Sequence, residues 1–195
     1  HATVTGLVFG VKPSEVDPEM RRQMKAMSYG LAYGLSSYGL AAQLDISPPA
    51  AQQLMDTYFE RFGIRDYLKD VVEEARKVGY TETVMGRRRY LPDLTHDNRM
   101  RREIAERAAL NSPIQGSAAD IIKQAMLNVD AAMAKAKLQS RMLLQVHDEL
   151  IFEVAKGELE ELTDLVRKEM GGAYPLKAPL DVNVGVGKSW DEAAH

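Results

Sequence analysis

The sequence contains no cysteine. Disulfides and thiolate metal sites are therefore excluded, and with them the small secreted scaffold that depends on cross-links. No apolar run approaches the roughly 20 residues that a membrane span requires, so no membrane partner is expected. The N-terminus lacks the basic start and apolar stretch of a secretory signal. These absences predict an intracellular, cytoplasmic protein. An excess of positive charge is also missing: 25 Lys and Arg against 28 Asp and Glu leave a net charge of −3. A protein that simply coats nucleic acid is not built this way. No internal repeat, low-complexity tract or Pro/Gly/Ser linker interrupts the chain. What remains is 195 residues, 45% hydrophobic and 27% charged, enough for one or two compact units with a real core.

The distribution of charge says more than its sum. Residues 76–107 carry nine Lys or Arg against five Asp or Glu, including the run Arg87-Arg88-Arg89 and Arg99, Arg101, Arg102 and Arg107. Residues 148–195 carry eleven acids against five bases. The first stretch is suited to phosphates or to a solvated, salt-bridged surface; the second is suited to solvent.

The pattern predicts helices in the first half and an α+β arrangement in the second. Residues 2–10 read as helix. Asp17-Pro18-Glu19 is a helix start, with a capping Asp, Pro in the first turn and an acid at the positive end of the dipole. That helix is expected to run to about Gly34. Ser47-Pro48-Pro49 opens another, and a third runs from near Arg65 to Val78 and stops at Gly79. Residues 80–91 read as two short strands turned at Met85-Gly86. Residues 98–112 and 114–137 read as two helices broken by Pro113. Residues 140–154 form a hairpin with His147-Asp148-Glu149 at the turn. A helix near 157–171 and a strand at 180–186 complete the reading.

Three constellations carry chemistry. On the helix after Pro18, Arg21, Lys25, Tyr29 and Tyr33 recur every four residues. At roughly 100° per residue they drift across an arc of about 120°, while Met20, Met24, Met27 and Leu31 fall opposite. An exposed face of solvated cations has the same pattern. Two cations one turn apart nevertheless match a polyphosphate, and an aromatic one turn further on can stack on a sugar or base. Arg107, Asn111 and Gln115 form the second set. Asn111 before Ser112-Pro113 also suits a helix end. As donors, the three can test purine N3 and pyrimidine O2, minor-groove acceptors present at every base pair. Gln145, His147, Asp148 and Glu149 form the third set. Adjacent acids are ordinary turn residues, but here apolar strands flank them and pin the turn at the edge of a core.

Arg21-Arg22-Gln23-Met24-Lys25-Ala26-Met27-Ser28-Tyr29-Gly30-Leu31-Ala32-Tyr33-Gly34 resembles the motif B helix of family A DNA polymerases. The resemblance continues through Tyr58-Phe59-Glu60-Arg61-Phe62, Gly86-Arg87-Arg88-Arg89-Tyr90-Leu91-Pro92, Glu106-Arg107 to Gln115-Gly116, and Gln145-Val146-His147-Asp148-Glu149-Leu150. Four further motifs in order after the first make it specific to the bacterial enzymes, and residues 86–115 and 145–150 favour a DNA enzyme over a single-subunit RNA polymerase.

The resemblance implies an α+β fold: a helical fingers subdomain over about 1–110, packed on the C-terminal part of a palm with a small antiparallel sheet over about 111–195. It implies template-directed addition of deoxynucleotides to a primer 3′ end. Arg21 and Lys25 would grip the dNTP phosphates, Tyr29 would lie against its sugar and Tyr33 beside the template base. Arg107, Asn111, Gln115, Gln145 and His147 would contact primer-template DNA. Asp148 would be a Mg²⁺ ligand and Glu149 an accessory acid, in a site of two Mg²⁺ ions, and these two with Lys25 would be the catalytic residues. The family's other catalytic Asp belongs to motif A, and no stretch like it occurs in these residues. The remainder of a polymerase chain, with motif A and the thumb, is therefore an expected partner. The alternative is a non-catalytic module that binds nucleotide and DNA.

Overall fold

The computed structural model describes residues 2–32 and 35–193. The chain divides into two compact units, residues 1–116 and 117–195.

In the first unit, α1 (Ala2–Phe9) and a single 3₁₀ turn (Pro13–Glu15) lead to α2 (Pro18–Ala32). Asp17 caps α2 as its sequence predicts: its Oδ1 accepts the Met20 N–H at 2.7 Å. Then come α3 (Ser37–Leu44), α4 (Pro48–Phe62) and α5 (Ile64–Val78). Ser47 caps α4, and Gly79 ends α5 in the left-handed conformation that glycine adopts without steric cost. Helix α3 has no counterpart in the sequence reading. Its eight residues are too few to show a period, and its start is marked only by Ser36, whose Oγ accepts the Gly39 N–H at 3.3 Å. The buried face of α2 meets α1, α3 and α4 in one cluster around Met24, Met27, Leu40, Leu44 and Met55. Met24 and Met27 are wholly buried, and burial of such a side chain stabilises by about 1.5–3 kcal/mol.

Strands β1 (Tyr80–Glu82) and β2 (Arg88–Tyr90) pair antiparallel, with Thr81 opposite Arg89. After a 3₁₀ turn (Pro92–Thr95), α6 runs unbroken from Arg99 to Ala136. The expected break at Pro113 does not occur. Proline removes one donor and costs about 3 kcal/mol, but both flanks of the helix are anchored. Ala105 and Ala109 pack with Ala75, Leu91 and Leu94 in the first unit. Ile122 and Ala125 pack with Ala173 in the second. Locally, the Ser112 hydroxyl donates to the Ala108 carbonyl at 2.5 Å. Asn111 is consequently a mid-helix residue, and a helix-end role for it falls away.

In the second unit, β3 (Arg141–Val146) and β4 (Glu149–Glu153) form an antiparallel hairpin backed by α7 (Leu159–Gly171). Val129, Met133, Leu162 and Val166 form its core, with Met142 and Phe152 packed against them. The pairing slips between Met142, opposite Phe152, and Leu144, opposite Ile151. Leu143 is the extra residue of a bulge, and side-chain alternation on β3 resets there. Glu149 begins β4 instead of lying in the turn.

The expected strand at 180–186 is not formed in the described structure. Val182 and Val184 are half-buried between exposed Asp181 and Asn183, so the alternation is real. A strand also needs a neighbour to take its hydrogen bonds, and sequence alternation alone supplies none. A short helix, α8 (Trp190–Ala193), follows. Among the described residues no helix is long and apolar enough to cross a membrane.

Candidate functional site

The exposed face of α2 is set by the burial of Met24 and Met27 on the other side. Arg21, Lys25 and Tyr29 are all exposed, Tyr29 by 52%. The Lys25 ammonium lies 5.9 Å from the centre of the Tyr29 ring, a cation–π contact. The acid nearby is taken by another residue. Glu19 pairs with Arg22 at 2.7 Å and accepts from Gln23 at 3.0 Å. Those hydrogen bonds, Arg22 first, hold the Glu19 carboxyl below its ordinary range. Neither Arg21 nor Lys25 has a carboxylate partner among the described residues. Two like charges one turn apart disfavour the bare helix by a few tenths of a kcal/mol, and a bound anion reverses that sign. Tyr33 lies outside the described residues.

Because α6 is continuous, Arg107, Asn111 and Gln115 share one face, at intervals of four residues. Arg107 and Gln115 are exposed and Asn111 is half-buried. The β1–β2 hairpin closes over the end of this row. Thr81, the 87–89 arginine run, Ser112, Gln115 and Gly116 line a cavity of about 210 Å³. Arg87 donates to the Gly116 carbonyl at 3.1 Å, and Arg89 to the Ser112 hydroxyl at 3.0 Å. Gly116 permits this approach: a Cβ there would lie 2.7 Å from the Thr83 methyl. Arg88 is committed elsewhere. It pairs with Glu82 at 2.6 Å, stacks 4.4 Å over Tyr80, and has its pKa raised chiefly by the Glu82 hydrogen bond. Among the described residues Arg89 donates to the Ser112 hydroxyl and has no carboxylate partner, and the buried Thr81 hydroxyl has no hydrogen-bond partner. The sequence reading had the arginine run but not Thr81, Ser112 or their union with Gln115. That union depends on the fold of a hairpin more than twenty residues away in the chain.

In the second unit the β3–β4 turn has two central residues, His147 and Asp148, since Val146 pairs with Glu149. His147 has φ of 53°, a left-handed conformation that costs a non-glycine residue about 1–2 kcal/mol. The Gln145 amide donates to the His147 carbonyl at 2.9 Å and braces the turn. Asp148 and Glu149 are exposed and make no side-chain hydrogen bond or ion pair within the described structure. Two adjacent free carboxylates are suitable oxygen donors for a hard divalent cation. No three His, Asp or Glu lie together as a complete ligand set among the described residues. The turn therefore suits part of a metal's coordination shell. The predicted residues form two surfaces in the first unit and one in the second.

The model of DNA polymerase family A matches residues 1–192. The chain is 65% identical to DNA polymerase I of Mycobacterium tuberculosis (strain ATCC 25618 / H37Rv), over 100% of this chain and 22% of that protein. It is 49% identical to DNA polymerase I of Bacillus caldotenax, over 99% of this chain and 22% of that protein. A solved structure, the POL domain of Pol1 from M. smegmatis in complex with DNA primer-template and dNTP, matches with a TM-score of 0.95 at 65% identity. That match covers 100% of this chain and 35% of that one. The chain thus spans 22% of the length of these curated relatives.

Proposed function

This chain belongs to DNA polymerase family A, and we propose that it supplies the nucleotide-binding helix and one metal-binding turn for template-directed DNA synthesis by a larger DNA polymerase. The observation that carries the reading is the α2 face, where Arg21 and Lys25 have no carboxylate partner among the described residues and stand on the same face as exposed Tyr29. Such a face fits a dNTP: a triphosphate for the cations and a sugar for the ring. Residues 1–110 correspond in this reading to the fingers and 111–195 to the C-terminal palm. Primer-template DNA is the second ligand. Arg107, Asn111 and Gln115 donate to the minor groove, and Gln145 and His147 meet the primer strand. The rest of the polymerase chain completes the centre.

Two Mg²⁺ ions, when bound, supply Lewis-acid stabilisation to the attacking and leaving oxygens. Asp148 would hold one of them, with Glu149 as the accessory acid. The chain's own part is to place the substrates. Arg21 and Lys25 fix the phosphates, Tyr29 limits where the sugar lies, and the braced His147–Asp148 turn presents a carboxylate at a defined height.

The test is Asp148→Asn in a complete polymerase carrying these residues. Loss of a charged ligand costs several kcal/mol at the transition state, a thousandfold or more in rate. Primer extension should fall by that factor while primer-template affinity stays within about twofold. Near-normal turnover for Asp148→Asn, with abolition by Glu149→Gln, would reverse the two roles.

A further inference from the structure

Leu35 joins two helices. Its backbone N–H donates to the Gly30 carbonyl at 2.7 Å. This six-to-one bond is the kind that closes a helix C-terminus, with Gly30 in the last turn of α2. On its other side Leu35 immediately precedes Ser36, the N-cap of α3, and so stands at the position from which a hydrophobic staple reaches the fourth helical residue, Leu40. Leu40 is buried, and Leu35 packs against the cluster that contains it. Two glycines make room for the leucine side chain. A Cβ on Gly30 would lie 2.9 Å from Leu35 Cδ2 and 3.3 Å from its Cβ. A Cβ on Gly39, in α3, would lie 2.6 Å from Leu35 Cδ1 and 3.0 Å from Cγ. Leu35 is thus seated between a notch in α2 and a notch in α3.

Gly30 directly follows Tyr29, and the Tyr29 ring is 52% exposed. About half of Tyr29 is exposed and that half has no packing of its own, so the last turn of α2 helps to set where the ring stands. We propose that Leu35 is a positioning residue: seated between Gly30 and Gly39, it fixes the last turn of α2 from α3 and thereby holds Tyr29 where a nucleotide's sugar is to be met. The proposal rests on the nucleotide reading of α2. It adds a residue that touches no substrate and a helix, α3, that has no assigned part in binding.

The experiment uses a complete polymerase carrying these residues, with Gly30→Ala, Gly39→Ala, Leu35→Ala, Gly30→Ala combined with Leu35→Ala, and Tyr29→Ala. A displacement of about 1 Å in a substrate-positioning group costs up to a hundredfold. The contacts call for a smaller shift than that, so Gly30→Ala should raise the dNTP KM severalfold, up to about tenfold, with primer-template Kd unchanged within about twofold. Gly39→Ala, on the other helix, should move KM in the same direction by pushing the same leucine. Leu35→Ala alone should also raise KM, by less than Gly30→Ala, because an emptied seat leaves the turn unheld but not pushed. Adding it to Gly30→Ala should bring KM down to the Leu35→Ala level, because the atoms in the way are gone. An unchanged KM in Leu35→Ala overturns the positioning role. A general loss of folding would instead lower thermal stability and DNA affinity together and would not be recovered by a second truncation. Equal KM for Gly30→Ala and the double variant overturns the seat. So does an unchanged KM in both glycine variants when Tyr29→Ala raises it. An unchanged KM in Tyr29→Ala itself overturns the nucleotide reading of α2, and the proposal with it.

Discussion

Glu158 receives Ser140 twice: the Ser140 backbone N–H at 2.9 Å and its hydroxyl at 2.6 Å. The Gln139 N–H adds a third bond at 2.9 Å, and Ser140 Oγ in turn accepts the Ala155 N–H at 2.9 Å. The carboxylate closes the open end of the β3–β4 hairpin, opposite the turn that carries Asp148. The Gln139 bond, then those of Ser140, hold the Glu158 pKa below its ordinary value. A group depressed on folding contributes stability above its unfolded pKa, about 4.3 for Glu. That contribution is lost as pH falls from there through the lower folded value. Glu158→Gln should therefore be less stable than the parent at neutral pH, and the gap should close as pH falls below about 4. Denaturation midpoints of both proteins across that range check it, and a gap independent of pH would count against the ionised clasp.

The two cationic surfaces of the first unit should separate by assay. On the proposed reading Lys25, which has no carboxylate partner among the described residues, meets the phosphates of a nucleotide. A hydrogen bond to a charged group is worth about 1.5–3 kcal/mol, so Lys25→Ala should raise the dNTP KM or lower the rate by roughly tenfold to a hundredfold. Its effect on DNA affinity should be small. Arg89, which among the described residues has the Ser112 hydroxyl as its hydrogen-bond partner and no carboxylate, should act on DNA: Arg89→Ala should weaken binding and reduce the salt slope by about one. Arg88→Ala should do less, since Glu82 already neutralises that charge. Titrations at several salt concentrations, beside steady-state nucleotide kinetics, decide the matter. If both Lys25→Ala and Arg89→Ala change only DNA affinity, α2 is a DNA groove.

On the proposed reading Tyr29 meets a nucleotide's sugar, and the hydroxyl on its exposed ring should then bear on the use of chain terminators. A normal nucleotide's 3′-OH can satisfy its own phosphate oxygens. A dideoxynucleotide lacks that donor, and the Tyr29 hydroxyl can replace it where Phe cannot. One bond to a charged acceptor corresponds to selection of roughly tenfold to over a hundredfold. The complete enzyme should accept ddNTPs readily. Tyr29→Phe should make it reject them while dNTP use stays nearly intact. Competitive incorporation of a ddNTP against its dNTP measures this, and equal selectivity in the two proteins would remove Tyr29 from the sugar.

Lys137 offers a test of local strain alone. It follows α6 with φ of 58°, and the Leu138 N–H donates back to the Met133 carbonyl at 3.1 Å. This is the helix-ending turn that glycine favours. Lys137→Gly should relieve about 1 kcal/mol, partly offset by the greater freedom of glycine in the unfolded chain. A net gain in Tm of about 2–4 °C is the upper expectation for a chain of this length. Lys137→Ala, which keeps the Cβ, should bring no gain. Thermal melts of the three proteins suffice.

Local chemistry was written in the residues themselves. Asp17-Pro18, Ser47-Pro48 and Gly79 mark helix ends through groups that act within one turn, and each does so in the fold. The cationic face of α2 followed from spacing, because a helix must turn Arg21, Lys25 and Tyr29 to the side opposite Met24 and Met27. The ordered motifs identified the family without any coordinate. Tertiary structure decided what depends on a partner distant in sequence. Pro113 failed to end α6 because buried alanines and Ile122 anchor the helix on both sides. The alternating valines at 182 and 184 failed to make a strand because a strand exists only with a neighbour. Leu143 became a bulge where the pairing with β4 shifts between Met142–Phe152 and Leu144–Ile151. Arg89 met Ser112, and Leu35 its two glycines, because separate elements packed there. Caps and periodicities are properties of consecutive residues; these outcomes are free-energy balances among segments that are brought together only by folding.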